Sequence, residues 1–380
     1  MVVEFFDPAR LPDHLGYTVA RLGDRQSTFR FMGYERTGLW ADVRGLPDAL
    51  ATTLEAADGL ADAVRLLRAP GVERVVATGN GAAYYVAHGL WLASLEGHGA
   101  GPPLIAMPSG LAVRQTFRWR PADAVLAVSS SGEFRDVVQI VRRRSAFPCV
   151  AITSDPDSSL ARAATATVLQ RVYSQRAVTH TQAMCGAFAI GLALWSSLAR
   201  DDALAAVVAT APETAARALP AAEAWASYEL AHVDRPLAAV AAGGGTAWAA
   251  ALELALMLKE VSRIPAEGVE TREGATSAMF GLDRGHLMIG LDPPGDLLGD
   301  EALRLCAAAG ADTLRLPSLP DADGRLAPIT ALPASAALAA ELALAGDHDV
   351  DHPAWTDAYY ATARRRDGAY GREDSRARKR

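Results

Sequence analysis

Short apolar runs alternate with longer stretches of helical period along most of the chain. Val75–Ala77 runs through Gly79 and Gly81 into an alanine-rich helical pattern that closes at Glu96. Leu237–Ala241 runs through Gly243 and Gly245 into a second such pattern, closing at Glu260. The two segments, RVVATGNGAAYYVAHGLWLASLE and PLAAVAAGGGTAWAAALELALMLKE, superimpose at an offset of 164 residues, glycine on glycine and glutamate on glutamate. Each reads as strand, tight turn and helix, the glycines letting backbone approach a ligand at the helix start. A single G-x-G is weak evidence, but two in register imply a duplicated α/β unit.

The remaining pattern extends that reading. A helical stretch runs from Ala49 to Leu67. DAVLAVSSSGEFRDVVQIVRRR reads as strand, serine-glycine loop and amphipathic helix, followed by strands at Cys149–Thr153 and near Val168. AVTHTQAMCGAFAIGLALWSSLAR reads as one long helix, and 201–222 as alanine-rich helices joining the halves. Further strands are expected at 237–241, 286–291 and 312–316. The fold class predicted is α/β, two tandem parallel sheets flanked by helices and related by a pseudo-two-fold. The expected division is an extension over 1–49, a first domain over 50–205, a helical linker over 206–224, a second domain over 225–345, a C-terminal loop over 346–363 and a basic tail over 364–380.

Composition narrows the class. The chain of 380 residues is long enough for two domains with separate cores, and half hydrophobic with 21% charged residues is ordinary for a globular protein. Net charge is −7, yet the 17 residues from Arg364 carry eight basic and three acidic side chains. The body is therefore strongly acidic, which argues against nucleic acid as a partner, and the tail reads as a solvated end. The apolar stretch Ala183–Trp195 is too short to span a bilayer, so no membrane partner is expected. No secretory pattern opens the sequence, and Cys149, Cys185 and Cys306 read as buried free thiols. A cytoplasmic protein without metal or other cofactor is the expectation.

Ligands of parallel α/β sheets bind beyond the carboxyl ends of the strands. Ser129, Ser130, Ser131 and Gly132 fall there, after Leu126–Val128. Hydroxyls and free N–H groups at a helix start suit an oxygen-rich ligand. One serine would suffice for a plain helix cap, so three followed by glycine favour a ligand loop.

These motifs resemble those of the double SIS (sugar isomerase) proteins, such as the isomerase half of glucosamine-6-phosphate synthase, over roughly residues 40–360. SSSGE at 129–133 is similar to the family's sugar-phosphate loop, LELALMLKE at 252–260 to its L-E-x-A-L-x-L-K-E helix, and DVDHP at 349–353 to the D-x-D-x-P before its C-terminal loop. Ala266–Glu267 and Glu273 fall at its A-E and G-E positions. The resemblance implies that Glu260 shuttles a proton between the first two sugar carbons, with Gly79, Gly81, Thr181, Glu273 and the serine loop around the substrate. A carboxylate suits that work because desolvation raises its basicity. Glu96, its counterpart in the first repeat, reads as a solvated helix-end residue.

The departures matter too. Ala83 and Phe134 stand where the family places hydroxyls that grip phosphate, Thr276 where it places a ring-opening histidine, and Ala358 where it places a Schiff-base lysine. A cysteine-led glutaminase segment is not found. His180 takes the place of a sugar-contacting serine; it is either an acid/base group or a helix-start histidine bonded to backbone. His88, His98 and His286 read as structural. The resulting expectation is an enzyme that isomerises an atypical sugar or makes or breaks its carbon–nitrogen bond, with a non-catalytic sugar-binding regulator as the alternative. A homodimer burying more than about 2,000 Å² is expected, with the site near its interface.

Overall fold

The computed structural model describes residues 33–97, 101–114, 117–144, 146–354, 356 and 358. The basic tail, His98 and most of the N-terminal extension lie outside the described residues.

Three helices lead in: α1 (Gly38–Arg44), α2 (Leu46–Ala56) and α3 (Leu60–Leu67). The first sheet is built from β1 (Arg74–Gly79), β2 (Leu104–Pro108), β3 (Asp123–Val128), β4 (Cys149–Thr153) and β5 (Ala166–Leu169). All pairs are parallel, in the order β2-β1-β3-β4-β5. Its connecting helices are α4 (Ala82–Glu96), α5 (Ser109–Val113), α6 (Arg135–Arg143) and α7 (Ser159–Ala163). Helices α8 (Thr181–Ala199), α9 (Asp202–Ala209) and α10 (Ala211–Glu229) cross to the second half.

That half holds β6 (Ala238–Gly243), α11 (Ala247–Glu260), β7 (Ala266–Glu270), α12 (Thr271–Thr276), β8 (His286–Gly290), α13 (Leu297–Ala309) and β9 (Asp312–Arg315). It closes with α14 (Ala327–Thr330) and α15 (Leu332–Ala345). Its sheet, again all parallel, runs β7-β6-β8-β9 and so repeats the first four positions of the other. Two parallel sheets flanked by helices, as the alternation of patterns predicts, is the architecture found.

The two halves do not keep separate cores. One apolar cluster runs from Val75 and Leu126 through Phe188 and Ile190 to Leu254, Leu287 and Leu338, joining both sheets through the helices between them. Smaller clusters cover only the outer faces, around Val137 and Leu160 in one half and Met288 and Ala302 in the other. The reason is the composition of α8, α11 and α15: apolar nearly all round, they can be satisfied only by burial on every side. Thr181–Ala199 and Gly324–Ala345 are long and apolar enough to cross a membrane, but 89% and 83% of their apolar windows are buried within the protein.

Several elements differ from the sequence expectation. The single helix expected from Ala49 to Leu67 is two, broken where Ala57 and Gly59 turn through left-handed backbone. Strands β2 and β7 escape notice because they are edge strands, largely half-exposed, without a continuous apolar run. Helix α1 is one short capped stretch in a segment with no sustained period. The three cysteines are buried and free.

The repeated glycines perform the same task in each half. A Cβ on Gly79 would stand 2.5 Å from the Ala83 carbonyl carbon, and one on Gly243 2.5 Å from the Ala247 carbonyl oxygen. The strand end thus lies against the first turn of its own helix at a distance only glycine allows. Gly79→Ala and Gly243→Ala should each destabilise the fold by about 1–3 kcal/mol in chemical denaturation. Unchanged stability in either variant would contradict this packing.

Candidate functional site

A cavity of about 130 Å³ opens beyond the carboxyl ends of β1, β3 and β5. Asn80 and Gly81 follow β1, Ser129, Ser130 and Ser131 follow β3, and Gln170 follows β5; all line it. Ala82, Ala83 and Val86 from α4, and Phe134 and Val137 at the start of α6, form further wall. Val178, Thr179 and His180 enter from the loop before α8, whose Ala183, Met184 and Ala187 also contribute. The last side comes from the other half: Glu253, Leu256 and Glu260, on one face of α11.

The serine loop is held in shape by its own backbone. Gly132 sits at φ +61, and a Cβ there would meet the Ser158 hydroxyl at 2.1 Å. Gly132 N–H donates to the Ser129 carbonyl at 3.1 Å, and Ser154 N–H donates to that of Ser130 at 2.9 Å. The Ser130 and Ser154 hydroxyls share a hydrogen bond of 3.1 Å, and the Gln170 amide donates to Ser154 Oγ at 3.0 Å. The glutamate that ends SSSGE turns away from this network: Glu133 accepts from the N–H of Ser159 at 2.7 Å, anchoring the start of α7.

The loop bearing His180 is strapped from both ends of the described chain. The Asp42 carboxylate, on α1, accepts from Ser174 Oγ and from the N–H groups of Arg176 and Ala177 at 2.7–3.0 Å. Gln182 donates to the Asp42 carbonyl and accepts from Tyr173 N–H. Val178 N–H donates to the carbonyl of Asp351, whose carboxylate accepts from Gly38 and Leu39 N–H at the start of α1. His180 itself precedes α8, and its Nε2 lies within hydrogen-bond distance of the Gln175 amide, at 3.0 Å.

The carboxyl groups give the cavity its chemistry. Burial pushes Glu260 up to about 7, Lys259 pulling slightly the other way. Burial, helped by the charge of Glu260, pushes Glu253 up to about 8. Glu253 is 3% exposed, and its Oε2 has no hydrogen-bond partner. Burial and then the two carboxylates raise the Tyr85 phenol to about 12. Among the described residues that line the cavity there is no lysine or arginine. Among the described residues no three His, Cys, Asp or Glu side chains gather into a metal-binding group.

Comparison with known proteins gives this architecture its setting. No family model matches the chain. A curated relative, a glutamine–fructose-6-phosphate aminotransferase (isomerizing) from Sulfolobus acidocaldarius, is 25% identical over 255 residues, 66% of this chain and 41% of the relative. The chain thus spans less than half of that protein's length. A glucosamine-6-phosphate deaminase from Thermotoga maritima matches in structure with a TM-score of 0.67 and 16% identity, over 84% of this chain and 98% of that one. The tagatose-6-phosphate ketose/aldose isomerase of Escherichia coli matches with a TM-score of 0.64 and 18% identity, over 83% and 97%. The fold is that of the sugar isomerase (SIS) proteins.

Within this SIS fold, Gly81, Ser129, Ser130, Ser131, His180 and Glu260 come together at one cavity, with Ala83 and Phe134 on its wall. Gly132 shapes the loop without lining it. Gly79 lies under the turn, and Thr181, 2% exposed, lies behind the wall. Glu273 is placed apart, in α12 of the second half, accepting from the Ser277 hydroxyl. Thr276 lies in that same short helix. Glu96 is not merely solvated: burial raises its carboxyl, which lies against the second glycine turn, 2.6 Å from where a Cβ on Gly245 would stand.

Glu253 is the residue that sequence reading missed. Its signal was present: a carboxylate inside an apolar helical run, seven positions before Glu260 and so two turns along the same face.

The raised carboxyls predict how stability depends on pH. The folded state keeps protons that the unfolded chain, with ordinary carboxyls near 4.5, gives up. That stabilisation is complete below about pH 4.5 and is lost as pH rises through about 7 and 8. In Glu253→Gln the decline should be shallower by about one proton's linkage, roughly 1.4 kcal/mol per pH unit. Thermal or urea unfolding followed across this range tests it; an identical slope in variant and wild type would overturn the assignment.

Proposed function

We propose that this chain is a sugar-processing enzyme that moves a proton between neighbouring carbons of an atypical sugar or sugar derivative, with Glu260 as the shuttle. The observation that carries the reading is the meeting of Glu260 with the serine loop at one cavity. A carboxyl raised to about 7 is ionised often enough to accept a proton and acidic enough to return it at neutral pH. The carbon next to a carbonyl or imine gives its proton to a Glu260 oxygen, and the released electron pair forms an enediol or enolamine. The same carboxyl then protonates the adjacent carbon. Ser129–Ser131 hold the sugar's oxygens, and His180, poised at the cavity edge, is placed to pass protons to and from them.

The similar solved structures include an isomerase and a deaminase, so either isomerisation or carbon–nitrogen chemistry fits this proton transfer. The substrate we favour lacks the usual terminal phosphate. Ala83 and Phe134 put a methyl group and a ring on the wall, and none of the described residues lining it is a lysine or arginine. Each missing charge-assisted hydrogen bond costs about 1.5–3 kcal/mol. We further propose that the chain works as a homodimer in the cytoplasm.

The replacement of the family's histidine and lysine by Thr276 and Ala358 favours a second reading, a regulator that binds sugar without turning it over. Glu260→Gln separates the two. Under the enzymatic reading, turnover should fall at least about a hundredfold while substrate affinity changes little. Full activity in the variant would remove the proposed base, and a wild type that binds sugars but converts none would favour the regulator.

Fructose 6-phosphate and glucosamine 6-phosphate should bind about a hundredfold more weakly than to a site with both hydroxyls in place. Calorimetry finding micromolar affinity with turnover for either would refute the substrate proposal. Light scattering should give twice the monomer mass at micromolar concentration, and a monomer there would rule out the obligate dimer.

A further inference from the structure

Among the described residues, every side chain that α4 and the start of α6 bring to the cavity is apolar: Ala82, Ala83, Val86, Phe134 and Val137. Both helices begin here because they follow β1 and β3, which pair side by side. The carboxyl and hydroxyl groups enter from other elements, Glu253 and Glu260 from α11 and Ser129–Ser131 from the loop after β3. One part of the wall is therefore an apolar strip. Ala82 and Ala83 pack against the shared core, and Phe134 against the outer cluster around Val137, yet all three stay half-buried. Apolar surface left on a cavity wall meets water unless a ligand covers it. Phe134 is also the N-cap of α6, and its side chain makes no capping bond. Serine, threonine, asparagine or aspartate would cap that helix better. A local rule of helix stability is broken at the cavity wall, which is where a binding role for the ring would break it.

We infer that the ligand of this cavity ends in a methyl group packed on the apolar strip: a terminal deoxy sugar, in which methyl replaces the hydroxymethyl end. The inference rests on the sugar-binding reading given above and names the substrate class within it. A methyl set against Phe134 and Ala83 removes apolar surface from water on both partners. A hydroxymethyl in the same place loses its hydrogen bonds to water and meets no polar side chain from α4 or the start of α6. The two effects act in the same direction, so the strip discriminates between the two ends. A cavity of about 130 Å³ is small for a ligand site, which suits a methyl group and not an acyl chain. Phe134 and Ala83 are then the residues that determine specificity.

The test is calorimetric titration of the full chain with 6-deoxy-D-glucose against D-glucose, L-fucose against L-galactose and L-rhamnose against L-mannose. Each pair differs only in the terminal hydroxyl. At least one deoxy sugar should bind about tenfold or more tightly than its parent, from one methyl buried and one hydroxyl not left unpaired. The double variant Ala83→Ser with Phe134→Thr sets two hydroxyls on the strip and should bring that ratio close to one. Phe134→Leu, which keeps the strip apolar, should preserve it. Circular dichroism checks that the variants fold, and Ala83→Ser alone is read in the same way should the double variant not fold. Equal or weaker binding of all three deoxy sugars by the wild type would overturn the inference while leaving the sugar-binding reading intact. So would a preference that persists unchanged in the folded hydroxyl variant. Failure of all six sugars to bind would overturn the sugar-binding reading, and the inference with it.

Discussion

The close approach of α4 to α11 is the contact on which the rest of this molecule depends. A Cβ on Gly89 would stand 2.9 Å from the Phe188 ring and 3.1 Å from the Ala249 methyl group, so the helices of the two halves meet almost backbone to backbone. Phe188 from α8 closes the third side, fully buried. Such proximity lets each glycine turn lie beside the helix of the other half. Gly81 faces Leu256, 3.9 Å from where its Cβ would stand, and Gly245 faces the carboxylate of Glu96. Were α4 and α11 spaced at the usual interaxial distance for bulky contacts, Glu253 and Glu260 would not reach the turn after β1. The cavity is a product of helix packing as much as of its lining.

The same reciprocity makes the two halves chemically unequal. Around the first turn, three strand ends and α11 enclose open space. Around the second, the protein supplies its own anions. Asp292, just beyond β8, accepts from Gly244 N–H at 2.7 Å and from the Thr271 hydroxyl, while the Glu96 carboxylate lies against Gly245. The donors that would greet a ligand at a glycine turn are thus spent internally. Duplication preserved the backbone geometry twice, and side chains closed one copy. This also explains why Glu96 and Glu260, equivalent by position, differ in setting: one lies against the second glycine turn and the other faces a cavity.

Much of this was legible from residues alone. The central strands β1, β3, β4, β6 and β8 announce themselves as apolar runs because both their faces are covered. Edge strands β2 and β7 do not, since half of each faces outward and the apolar signal is diluted. The serine loop and Glu260 were recognisable from motif and position. Glu253 was hidden within the same motif, because burial of a charged side chain is a property of packing and sequence gives only its helical face. The break between α2 and α3 was invisible for a similar reason: a Cβ on Gly59 would stand 1.8 Å from the carbonyl oxygen of Thr167, more than a hundred residues away.

The straps on the His180 loop have a consequence for how the protein comes into being. Asp42 and Asp351 hold that loop from segments on either side of almost the whole described fold, and the bonds from Gly38 and Leu39 to Asp351 close loops of more than three hundred residues. Contacts of such sequence separation form late, because the chain between them must first be ordered. During synthesis the first sheet can assemble, and even α11 can dock, well before Asp351 has left the ribosome. Until then the wall carrying Thr179 and His180 lacks one of its two anchors. The nascent chain is therefore a folded scaffold whose cavity mouth is completed only once Asp351 has emerged.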